Sequence, residues 1–136
     1  MLIEEPLWVL IDGRRTAYNE VRPSHPKGTV LLLAGSDSNR LIWYKQLDAF
    51  GRAFRTIAVD YRDTGDSDPA SGPYTIADLA DDAAFVLATL GVQRALVVGI
   101  SLEDMSACRW PYVILNGSRS WCSCLPPLLI SHPVRK

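Results

Sequence analysis

Along this chain the spacing of apolar positions switches repeatedly between unbroken runs and steps of three and four. Residues 29–34 read Thr-Val-Leu-Leu-Leu-Ala, the pattern of a strand covered on both faces. Trp43, Leu47 and Phe50 then recur at helical spacing before Gly51, and residues 55–59, Arg-Thr-Ile-Ala-Val, make a second strand ending at Asp60. Ile76, Leu79, Ala80, Ala83, Val86, Leu87 and Leu90 build one apolar helical stripe that stops at Gly91, a residue suited to the left-handed position after a helix. Thr75, with Asp78 three residues on, predicts a capping box at that helix's start, Asp replacing the usual Glu or Gln. Residues 95–100, another apolar run, predict a further strand.

Upstream, Leu7–Ile11 and residues 16–21 flank Asp12-Gly13, a short hairpin signal because glycine accepts positive φ cheaply. Strand, helix, strand, helix, strand is the alternation that requires a parallel sheet with right-handed crossovers. The expected class is therefore α/β: a mostly parallel sheet with an antiparallel N-terminal hairpin, between helices in three layers. In such sheets ligands bind outside the carboxyl ends of the strands. Those ends are Ala34-Gly35-Ser36, residues 60–67, and Ser101.

Composition narrows the partners. At 136 residues the chain has the size of one domain. With 14 Lys and Arg against 15 Asp and Glu, the net charge is −1, with no basic footprint for nucleic acid or an anionic membrane. A small neutral ligand suits it better. The apolar runs are far shorter than the ~18 residues of a membrane span, and the first six residues carry two glutamates instead of a basic leader, so a cytoplasmic location is expected. Cys108, Cys122 and Cys124 give a lone C-x-C with no second pair, so neither metal nor disulfide is expected. No cofactor is expected either. A nucleotide-binding Rossmann reading finds one glycine in Ala34-Gly35-Ser36-Asp37 where its fingerprint needs three.

Four ordered segments carry a resemblance. The opening hairpin, the strand ending in a small pair at Ala34-Gly35 and the Trp43 helix are followed by Phe54-Arg55-Thr56-Ile57-Ala58-Val59-Asp60-Tyr61-Arg62-Asp63-Thr64-Gly65-Asp66-Ser67. Pro73-Tyr74-Thr75-Ile76 and Leu90-Gly91-Val92 come next, then Gly99-Ile100-Ser101. Over residues 7–102 the chain resembles the α/β-hydrolase family, in its esterase, enol-lactonase and methylesterase-like members. The resemblance implies the N-terminal half of that fold, with Ser101 as a nucleophile exposed on a strand-to-helix elbow. It also implies that the backbone N–H groups of Ser36 and Leu102 bind the oxyanion. The loop from Asp60 to Ser67 then shapes the site without handling protons.

Beyond the elbow the match ends. Glu103 stands where the G-x-S-x-G elbow has its second glycine, and a long carboxylate there overpacks a small space. Residues 105–136 hold no acid, four basic residues and every cysteine. Pro111 interrupts the expected helix, and residues 112–115 read as one strand. With strands missing, the run at 95–100 is expected to lie near an open sheet edge, inviting self-association and low solubility. His25 falls on the side away from the strand ends, and His132 follows Ser101 too closely for the order Ser, acid, His. The chain thus divides into residues 1–102, half of a hydrolase domain, and 103–136, a foreign tail from a frameshift or truncation, or a genuine divergent C-terminus.

Two functions stay open. One is a serine hydrolase of small carboxylic esters or lactones, truncated and inactive as given because the triad acid and histidine are missing. The other is a non-catalytic remnant or binding module that associates through the open edge. If a frameshift made the tail, translating the coding DNA after codon 102 in the other two frames reveals Gly-Gly followed by an amphipathic helix. Absence of that pattern from both frames leaves the divergent C-terminus.

Overall fold

The computed structural model describes residues 5–35, 38–99 and 113–115. Strand β1 (Leu7–Ile11) turns back into β2 (Arg14–Val21) with Asp12 at φ 50° and Gly13 at φ 76°. Two consecutive positive φ values are what a two-residue turn needs to match the strands' right-handed twist. The pairing runs unbroken from Leu7 opposite Tyr18 to Ile11 opposite Arg14, so β2 starts two residues before the sequence suggested. Arg14 and Arg15 extend the strand because each has a partner on β1, which outweighs their indifferent strand propensity.

Strands β3 (Thr29–Leu33), β4 (Arg55–Val59), β5 (Leu96–Gly99) and β6 (Val113–Leu115) complete a six-stranded sheet in the order β1-β2-β4-β3-β5-β6. The pairs β4 to β3, β3 to β5 and β5 to β6 are parallel, and β2 joins antiparallel. β3 is central, as its unbroken apolar run predicts. β5 begins at Leu96, and Ile100 lies outside the described residues. β5 is not the edge. Val113–Leu115 pairs with residues 97–99 on its far side, so among the described residues β6 is the outermost strand there, within the segment read as a foreign tail.

Alternate residues of the central strands feed two cores. On one face Leu31, Leu33, Ile57, Val59 and Val97 pack with Leu79, Ala83, Val86 and Leu87 of helix α2 (Ile76–Thr89). On the other, Val30, Leu32 and Ala58 pack with Trp43 and Leu47, from a 3-10 turn (Arg40–Trp43) running into helix α1 (Tyr44–Gly51). This is the three-layer arrangement read from the sequence. Among the described residues no helix is long and apolar enough to cross a membrane.

Helix α2 is fixed at both ends. Thr75 accepts from the Asp78 N–H while the Asp78 carboxylate accepts from the Thr75 N–H, closing the predicted capping box. At the other end Gly91, at φ 71°, donates to Ala88 O at 3.1 Å and Val92 donates to Leu87 O at 2.8 Å. That paired pattern is a Schellman closure, with Val92 buried in the α2 core. The Thr75 amide and hydroxyl hold the Asp78 carboxyl below its usual range. Replacing Thr75 by Ala should cost about 0.5–2 kcal/mol by urea denaturation at neutral pH. A depressed folded-state pKa gives stability that is present above the unfolded pKa and lost as pH falls through the folded one. The difference between the two proteins should therefore shrink in acid below the ordinary aspartate range.

Candidate active site at the carboxyl end of the sheet

Parallel register sets the site. Leu33 is level with Val59 on one side and Gly99 on the other, so β3, β4 and β5 all end at one rim of the sheet. The three segments predicted to converge there leave the sheet together, at Ala34-Gly35, at Asp60 and after Gly99. Ser36, Ser101 and Leu102 themselves lie outside the described residues.

The loop after β3 is held from both sides of its undescribed pair. Ser38 donates its N–H (3.1 Å) and its hydroxyl (3.2 Å) to the Gly35 carbonyl, and the Asn39 side chain caps the 3-10 turn by accepting from Leu41 N at 2.9 Å. Arg40 follows, and its backbone N–H donates to Asp60 Oδ1 at 2.6 Å. The Arg40 guanidinium is 2% exposed and has three acceptors: Asp60 Oδ2, Asn19 Oδ1 at 2.6 Å, and Asp66 Oδ2 at 2.7 Å. Sequence reasoning missed Arg40. A cation just ahead of a buried Trp is a faint signal, because its burial depends on carboxylates 20 and 26 positions away.

The loop leaving β4 wraps that charge. Asp60 is fully buried, and its Oδ2 also accepts from Asp66 N at 3.0 Å. Ser67 donates its hydroxyl to the Asp60 carbonyl (2.9 Å) and accepts from Ala17 N (2.8 Å), fastening the loop to β2. At Gly65, φ is +51° and a Cβ would overlap the Asp60 carboxylate, so only glycine fits. Each of the four aspartates from Asp60 to Asp68 has a structural partner: Asp60 and Asp66 hold Arg40, Asp63 accepts from Ala70 N at 2.8 Å, and Asp68 holds Arg15. The loop from Asp60 is thus an interlocked turn, as the sequence suggested. Arg15, bonding through side chain and backbone, pulls the Asp68 carboxyl down.

A second tie runs to α2. The carboxylate of Asp82, 6% exposed, takes both Nε (2.9 Å) and Nη2 (2.8 Å) of Arg62 and also Nη2 of Arg14 (3.1 Å). This planar fork raises the Arg62 pKa. The Arg62 guanidinium also lies 5.2 Å from the Tyr74 ring centre, within cation–π range. Desolvation and the Asp63 carboxylate push the Tyr74 hydroxyl up. Among the described residues no group of three or more His, Cys, Asp and Glu is placed to hold a metal.

The family model described as the alpha/beta hydrolase fold matches residues 28–102, more than half of the chain. The chain belongs to the α/β-hydrolase fold family. The relative named "Putative carbamate hydrolase RutD" from Caulobacter sp. strain K31 is 36% identical over 92 residues, 65% of this chain and 33% of that protein. Among solved structures, the enol-lactonase from Burkholderia xenovorans LB400 superposes with a TM-score of 0.69 at 25% identity, over 75% of this chain and 40% of its own. Est816, described as an N-acyl homoserine lactone degrading enzyme, gives a TM-score of 0.71 at 31% identity, over 79% of this chain and 42% of its own. The chain thus spans about a third of the curated relative and about two fifths of these solved hydrolases.

Within this hydrolase frame the Arg40 cluster is a structural lock beneath the rim. Substituting Arg40 by Met leaves the Asp60 carboxylate buried without its counter-charge, a change that costs about 3–5 kcal/mol in buried pairs. Urea denaturation should show a loss of that size. An unchanged midpoint contradicts the lock.

Proposed function

We propose that the chain carries the nucleophile-bearing part of a serine hydrolase acting on small carboxylic esters or lactones. Ser101 is the nucleophile, and the backbone N–H groups of Ser36 and Leu102 are the oxyanion donors. The observation that carries this reading is the level ending of β3, β4 and β5. It supports the reading because a nucleophile after β5 and an oxyanion donor after β3 must leave the sheet at one rim to meet a single carbonyl.

The names of the relatives point to the substrate class. Carbamates and lactones both present an acyl carbon bearing a heteroatom leaving group, the chemistry a serine alkoxide and an oxyanion hole serve. A hydroxyl at its free pKa is a weak nucleophile, so a histidine must take its proton and an acid must orient that histidine. Within these residues the histidine after Ser101 is His132, only 31 positions on, and the 105–136 segment holds no acid. The 136-residue chain is accordingly read as inactive by itself, since loss of triad members lowers kcat by about 10⁴ to 10⁶.

One observation favours a second reading, a non-catalytic binding module. Glu103 occupies the place of the small elbow residue, and overpacking of that kind costs about 1–3 kcal/mol.

A fluorophosphonate probe followed by peptide mapping tests both readings. Slow labelling at Ser101, absent from Ser101→Ala, with no measurable turnover of small esters or lactones, is the expected result. Adducts on another residue sink the nucleophile assignment, and fast turnover sinks the inactivity. No labelling of a folded chain favours the binding module.

A further inference from the structure

We infer that β1 is a dimerisation edge: two copies of this chain pair their Leu7–Ile11 strands antiparallel about a twofold axis at Val9, joining two sheets into one. β1 ends the strand order and is paired only by β2 among the described residues. Its outer row of N–H and C=O groups is therefore a template for another strand. Edges are ordinarily protected by a charge, a proline, a bulge or brevity. The five residues Leu-Trp-Val-Leu-Ile have no charge and no proline, and the register with β2 shows no bulge. On the other side of the sheet the outermost described strand is β6. Leu7, Trp8 and Leu10 are 49%, 46% and 64% exposed.

The strand complements itself, which is why the occupant is a second copy. In antiparallel pairing about Val9, Leu7 of one copy faces Ile11 of the other and Trp8 faces Leu10, so each exposed apolar residue meets an apolar residue, twice by symmetry. A closed contact of this kind stops at two copies. The association depends on β1 alone and stands apart from the hydrolase reading.

Sedimentation velocity on the full chain over a wide concentration range tests it. The mass should rise from 15.0 kDa toward twice that value and stop there. Leu10→Lys sets a charge against Trp8 of the other copy and should weaken association by about tenfold or more. Trp8→Lys, at the facing position, should do the same, and circular dichroism should confirm that both fold. Phe85→Lys, at an exposed apolar site on α2, should leave the association unchanged. A monomer at every concentration overturns the inference. So does assembly beyond two copies, or a dimer that both Lys variants on β1 leave intact.

Discussion

Asp60 follows directly after β4 with its carboxylate out of reach of water, and a buried charge of that kind persists only where other groups satisfy it. Those groups come from three directions. Arg40 brings its backbone N–H and guanidinium from the chain after β3, Asp66 brings its amide from the loop after β4, and Asn19 of β2 takes the guanidinium's remaining side. The requirement reaches further, since Gly65 must lack a side chain for its turn to close over the carboxylate. One buried charge thereby fixes the paths of two of the three loops at the candidate site.

The Asp82 cluster does the same for the α2 layer. Its carboxylate holds Arg62, just past Asp60, and Arg14, at the start of β2. Helix, hairpin and site loop are tied through one point that is shielded from solvent, where charge-assisted hydrogen bonds are stronger than at a surface. A third arginine, Arg55, bonds Glu20 on β2 and the Leu90 carbonyl at 2.9 Å, joining the amino end of β4 to the end of α2. Arginine suits all three places because its fork serves several acceptors at once and stays charged when desolvated.

A chain spanning about a third of its curated relative still forms a continuous six-stranded sheet with a core on each face. Residues 113–115 add a parallel strand beyond β5, so part of the segment that departs from the hydrolase pattern joins the same sheet. β5 has a neighbour on each side, and among the described residues β1 is the outermost strand at the hairpin end of the sheet. The same apolar alternation that buries Val9 and Ile11 against α2 leaves Trp8 and Leu10 facing outward, with the Arg15 guanidinium 5.8 Å from the Trp8 ring centre.

Local chemistry was legible in the sequence. The Asp12-Gly13 turn, the Thr75–Asp78 box, the stop at Gly91 and the limits of β4 all follow from interactions within a few residues of each other. So did the rim where the strands end, because βαβ alternation forces parallel strands and parallel strands share a carboxyl edge. The Arg40 lock, the Asp82 bridge and the place of the free edge were not legible. Each depends on groups separated by many positions in the chain, or on which strand lies outermost. Side-chain spacing encodes the period of an element but not its neighbours, and a buried charge or an unpaired edge is defined by neighbours alone.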